Sequence, residues 1–149
     1  MRAIRPVSVL GILAVVLLLA PAAAQAQDAK AGVKEGVGKL EAAFNARDAD
    51  ALTSLYTDAS VIMPPGSEPV KGLEAIHAMW NSLDEYAPTM EFKIKDLMVA
   101  GDLVVETSSW SATAPDGSHA DHGVYIAVWK NTDQGWKMIR DIWNSSMTQ

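Results

Sequence analysis

Hydrophobic positions change their period twice along this chain. Residues 7–20 form an almost unbroken apolar run. Val33, Val37, Leu40 and Phe44 then recur at steps of four, three and four, a helical stripe. Gly32, Gly36 and Gly38 interrupt that stripe, each disfavouring helix by about 1 kcal/mol relative to alanine, which predicts frayed N-terminal turns. Asp48 is placed to cap a second, short helix with Leu52, Leu55 and Tyr56 on its inner face. A short strand at 61–63, the turn-forming "PPGSEP" and a return at Val70 precede a third amphipathic stripe of Leu73, Ile76, Trp80 and Leu83, with His77 at its edge. After Pro88 the pattern changes to runs of β-formers at 90–99, 103–113, 119–130 and 136–147, separated by "AGD", "APDG" and "NTDQG". Turns this short join antiparallel neighbours. The pattern therefore predicts an α+β fold, a cone-shaped curved antiparallel sheet packed on three N-terminal helices, with an internal pocket at its mouth.

The first segment stands apart from that domain. Arg2 and Arg5 precede the apolar run, whose fourteen residues would span about 21 Å as a helix, short of a hydrocarbon core of roughly 30 Å. Pro21 ends it, and "AQA" at 24–26 is a small-x-small cleavage site. The expectation is a signal peptide over 1–26, cleaved after Ala26, and a single secreted or periplasmic domain over 27–149 that keeps no membrane anchor. That domain would carry ten basic and eighteen acidic residues, a balance that disfavours nucleic acid. The chain has no cysteine, so no disulfide stabilises it, and five tryptophans supply much of the area a core can bury.

Composition alone names no chemistry, but particular positions do. Asp141 and Trp143 are two apart, so on a strand they share a face. A carboxylate beside an indole is either a desolvated general acid or base, or a structural acceptor in a pocket wall. Tyr125 and Trp129 share one face of the preceding strand, and His122, Val124, Ile126 and Val128 the other; alternation does not say which face is concave. His119 and His122 point to opposite sides and no third ligand is evident, so no metal site is expected. Tyr56, Trp80 and Trp110 read as core residues, one or two of them also lining a cavity, and Glu106 reads as an exposed carboxylate on the convex face. The chain has no G-x-S-x-G, P-loop or G-x-G-x-x-G, so neither a nucleophile motif nor a nucleotide cofactor is supported, and no cofactor is expected.

Two stretches carry a resemblance. "FNARDADALTSLYTDASVIMPPGSEPVKGLEAI" (44–76) resembles the first half of the ketosteroid isomerase and nuclear-transport-factor-2-like superfamily. "DHGVYIAVWKNTDQGWKMIRDIWNSS" (121–146) is similar to the second half of its SnoaL-like branch. Together they cover about 34–146. The resemblance implies the cone fold, a homodimer through the sheet and a small, apolar or amphipathic ligand. It places Tyr125 on the concave face and implies a pocket of Tyr56, Met63, Trp80, Trp110, His122 and Trp143 around Asp141 and Tyr125. The chain departs from the steroid isomerases at their catalytic positions. Their base, just before the first hairpin's Pro-x-Gly, matches Met63; their helix tyrosine matches Leu40; their second carboxyl falls at Tyr125. Isomerisation by that route lacks its base. Three readings follow: a cofactor-free acid–base enzyme (isomerase, lyase or cyclase) with Asp141 as base and Tyr125 as donor; a non-catalytic binding protein with the same pocket; or an association module whose dimer face includes Val124, Ile126 and Val128.

Overall fold

The computed structural model describes residues 19–83 and 87–146. The basic start and the apolar run up to residue 18 lie outside the described residues, as does Met147 of the last expected strand. In chain order the elements are α1 (Leu19–Ala46), α2 (Ala49–Thr53), β1 (Tyr56–Met63), β2 (Val70–Lys71), α3 (Leu73–Asn81), β3 (Thr89–Ala100), β4 (Leu103–Thr113), β5 (His119–Thr132) and β6 (Gly135–Trp143). The strands form one sheet in the order β2-β1-β6-β5-β4-β3. The helices pack on its concave face, an α+β architecture. The β3–β6 meander is antiparallel throughout, whereas β1 lies parallel to β6.

Each element follows from local chemistry. Asp48 caps α2, its Oδ1 accepting from the Ala51 amide at 2.8 Å. Tyr56 is not on that helix, as its spacing had suggested. The helix ends at Thr53, and Tyr56 opens β1 paired with Met138, because an aromatic residue gains more on a half-buried pleat than in a five-residue helix. In α3, Ile76 and Trp80 are buried, and His77 stays at the edge with Nε2 3.0 Å from Asp50 Oδ1 on α2.

The glycines of α1 have a packing cause. A Cβ on Gly36 would lie 2.7 Å from the Trp129 ring, and one on Gly32 2.4 Å from the Trp136 ring. Two indoles thus press directly on the helix backbone, and α1 is continuous through the residues expected to fray. The loss of helix propensity is offset by contact area.

Register shifts interrupt every long pairing, and the sheet curves accordingly. The shift between β5 and β6 leaves Ile139 unpaired between Met138 and Arg140. Met138 and Asp141, three residues apart, therefore both point inward. Tyr125, Ala127 and Trp129 of β5 point the same way, as do Val104, Glu106, Ser108, Trp110 and Ala112 of β4. The opposite face carries Met98, Val124, Ile126 and Ile142, all exposed.

Candidate functional site

A cavity of about 300 Å³ lies between the helices and the concave face. Leu40 and Phe44 of α1, Trp80 of α3, Phe92 and Trp110 of the sheet and Trp143 give it an apolar, mostly aromatic wall. Polar groups enter through Asp121, Tyr125 and Asp141. Leu83, Pro88, Met90 and Asp121 are half-buried, while Trp110, Tyr125 and Asp141 are buried, so Asp141 stands at the inner end.

Asp141 is only 6 % exposed. Its Oδ2 accepts the Tyr56 hydroxyl at 2.8 Å, and its Oδ1 has no hydrogen-bond partner among the described residues. Burial pushes its pKa up to about 6; the Tyr56 hydrogen bond opposes that rise and the charge of Glu106 adds to it. The Tyr56 phenol is held well above its ordinary value by burial and then by the carboxylate it faces. It is therefore a donor at any physiological pH. β1 brings it there: Ile62 pairs with Asp141 and Tyr56 with Met138, so the ring rises along the inner face towards the carboxylate.

Glu106 corrects the reading of β4. Rather than facing solvent on the convex side, it is fully buried. Ser108 Oγ donates to its Oε1 at 2.5 Å, the Tyr125 hydroxyl donates to the same oxygen, and Trp129 Nε1 donates to Oε2 at 2.7 Å. Burial raises its pKa and these three donors lower it. Tyr125 is thus engaged with Glu106 rather than aimed at Asp141, and burial followed by the Glu106 charge pushes its phenol up strongly. The signal for Glu106 was present in the sequence. Val104, Glu106, Ser108 and Trp110 share one parity, and a tryptophan read as core should have carried Glu106 inward with it.

Of the eight residues expected at the pocket, Trp80, Trp110, Tyr125, Asp141 and Trp143 line the cavity. Tyr56 stands behind the wall and reaches it through Asp141. Met63 is half-buried and shares the side of Ile142, away from the lining, because its neighbour Ile62 takes the inward position. His122 is exposed on the outer face, its Nδ1 3.0 Å from His119 Nε2, because it lies an odd number of residues from Tyr125 with no bulge between them. Asp121, beside His122, takes the inward parity and lines the cavity. Its Oδ1 accepts Ser145 Oγ at 2.9 Å. No cluster of three or more potential metal ligands occurs among the described residues.

Two further features define the wall. The indole N–H groups of Trp80 and Trp110 are buried and find no acceptor among the described residues. Trp110 Nε1 lies against Gly123, where a Cβ would sit 2.9 Å from it and 2.0 Å from the Asn144 carbonyl. Arg47 supports the other end. Its guanidinium donates to the carbonyls of Phe44, Asn45, Ala87 and Pro88, fixing the chain that enters β3 against the end of α1.

Helices thus close an aromatic cavity over a curved sheet, with a carboxylate at its inner end. Residues 37–139 match the model of the SnoaL-like domain, and the chain belongs to that family. Among solved structures it is similar to a ketosteroid isomerase-like protein from Erwinia carotovora atroseptica (21 % identity, 79 % of this chain and 96 % of that one, TM-score 0.68). A nuclear-transport-factor-2-like superfamily protein from Salmonella enterica matches at 16 % identity over 83 % of this chain and 94 % of its own, TM-score 0.67. A protein of unknown function from Mycobacterium tuberculosis matches at 15 % identity over 86 % and 77 %, TM-score 0.73. Likeness at these identities establishes the fold alone. Nothing among curated proteins matches the chain.

Proposed function

We propose that this chain is an exported, cofactor-free domain that binds a small, largely apolar molecule in the cone and uses Asp141 as its acid–base group. One observation carries the reading: a buried carboxylate, with a pKa of about 6 and one oxygen unpartnered among the described residues, lines a mostly apolar, aromatic cavity. Such a group changes protonation near neutral pH, which is what proton transfer to or from a bound molecule requires. Tyr56 holds the carboxylate in place, and the aromatic wall excludes water and orients the ligand. The missing base at Met63 argues against the steroid-isomerase route, so the reaction class is isomerase, lyase or cyclase chemistry run from Asp141.

Export is supported by where packing begins. Residues 22–25 are exposed, Ala26 is half-buried, and Ala29 is the first buried side chain of α1. Cleavage after Ala26 would remove no buried side chain among the described residues. A homodimer is supported by the apolar residues left exposed on the outer sheet face.

A binding-only reading draws on a different observation. Tyr125 donates its hydroxyl hydrogen bond to Glu106, so among the described residues only Tyr56 donates to Asp141, with no second phenol beside it to stabilise a developing oxyanion. Mass spectrometry of small molecules that co-purify with the exported protein identifies the ligand. Turnover of that ligand by the wild type, abolished in Asp141→Asn with affinity kept within about tenfold, is the expected result. Equal turnover in the variant overturns the acid–base role. Absence of turnover in the wild type leaves the binding reading.

A further inference from the structure

The cavity has a sign as well as a shape. Among the described residues its wall contains two carboxylates, Asp121 and Asp141, and no lysine, arginine or histidine. A third carboxylate, Glu106, lies behind Tyr125 and raises the electrostatic cost of ionising Asp141. Arg140, next in sequence to Asp141, is exposed on the outer side and donates to the Ala59 and Ile139 carbonyls. Arg47 stands behind Phe44, its guanidinium 6.0 Å from the ring centroid, with its two Nη groups on four carbonyls. Neither cation reaches the carboxylates. Among the described residues, six rings line the space: Phe44, Trp80, Phe92, Trp110, Tyr125 and Trp143. Aromatic faces are negative and attract cations, most strongly where water is excluded.

We infer that the ligand of this cavity is a small organic cation, an amine or quaternary ammonium on an apolar body, held with its charge against Asp141 and its body among the rings. The inference rests on the reading of the cone as a small-molecule site and names the class of molecule. A buried carboxylate with one neutral donor is under-compensated. A ligand cation supplies the missing opposite charge at Oδ1, while an anionic ligand would meet two like charges in the wall and one behind it. The net charge of −6 on the whole chain acts in the same direction on approach. A neutral carbonyl ligand is the competing case: it would accept from a protonated Asp141 or from the indole N–H of Trp80 or Trp110, free among the described residues, and it draws no charge attraction from the aromatic faces.

The test uses two probes of the same shape that differ in charge, phenyltrimethylammonium and tert-butylbenzene. Each competes with the neutral fluorophore N-phenyl-1-naphthylamine for the full mature protein at pH 8 and low salt. The cation should bind at least tenfold more tightly than its neutral isostere. Asp141→Asn should remove most of that preference while changing tert-butylbenzene affinity less than twofold. Asp121→Asn, at the half-exposed end, should lower the preference by a smaller factor. The comparison of probes on the unaltered protein stands even if a variant fails to fold. Equal or tighter binding of tert-butylbenzene overturns the cation inference and leaves the cavity reading intact, as does binding of the fluorophore alone. If neither probe nor the fluorophore binds, both fall.

Discussion

Asp141 and Glu106 are both buried, but their surroundings differ in kind. Glu106 receives three donors and Asp141 one. For Asp141 the native protein gives up the proton only at about 6, against 3.8 for the free side chain. Between those values the folded state binds the proton more tightly than the unfolded chain. The associated stability is fully present below pH ~4 and is lost as pH rises through 6, a difference of roughly 3 kcal/mol. Asp141→Asn keeps an acceptor for Tyr56 and removes the charge. It should be more stable than the wild type at pH 8, by up to about 3 kcal/mol, and no more stable near pH 4; urea unfolding at both pH values measures this. A variant less stable at pH 8 would mean that the ionised pair with Tyr56 outweighs desolvation. Glu106→Gln should behave oppositely. Its amide would turn an N–H towards Trp129 Nε1 or towards Tyr125 and Ser108, leaving donors facing one another, at a cost of about 1–3 kcal/mol. It also removes a charge that raises Asp141, so the Asp141 pKa, followed by NMR titration, should fall. That Asp141 and Trp143 share a face was legible from their spacing, and the family resemblance turned that face inward. Glu106 and its three donors were not credited, although parity with Trp110 implied them. The Tyr56 partnership could not be read, because it depends on a parallel pairing between strands 80 residues apart in sequence, to which local periodicity is blind.

At the scale of elements, the meander and the third helix were legible because hydrophobic period and turn residues agree there. The α2–β1 boundary was not, since five residues give too short a window to separate a 3.6-residue from a 2-residue repeat. The glycines of α1 were misjudged for a related reason. Propensity is a local quantity, whereas their role is set by indoles that arrive from β5 and β6. This yields a paired test. Gly36→Ala adds a methyl 2.7 Å from the Trp129 ring, and overpacking of that sort costs about 1–3 kcal/mol, more than the roughly 1 kcal/mol gained in helix propensity. Gly38→Ala meets nothing within 4 Å and should stabilise by up to about 1 kcal/mol. Thermal unfolding of the two variants should therefore move in opposite directions. A rise in Tm for Gly36→Ala would show that Trp129 is free to shift.

For the whole molecule, the helices cover one face of the sheet and leave the other to water or to a partner. On that outer face Val124, Ile126 and Ile142 are 50 %, 44 % and 44 % exposed, and Met98 61 %. Ile126 pairs directly with Ile142, and Ile142 in turn with Met63, so the apolar side chains adjoin one another across β5, β6 and β1. Contiguous exposed apolar surface of this kind is uncommon on a monomer and typical of an interface. A two-fold axis through the face would set Ile126 and Ile142 of each protomer against their equivalents, since an isologous contact uses the same patch twice. The cavity opens on the opposite side of the sheet, so such a dimer would leave both ligand sites free. The expected assembly is therefore a homodimer whose stability depends on this row and whose binding does not. Ile126→Glu should introduce a charge close to its own copy and desolvate it without a partner, shifting the protein to monomer at micromolar concentration. Light scattering reports the mass, and circular dichroism and N-phenyl-1-naphthylamine binding report whether fold and cavity survive. A wild type already monomeric by scattering would remove the dimer, and a variant that stays dimeric would move the interface elsewhere on the sheet.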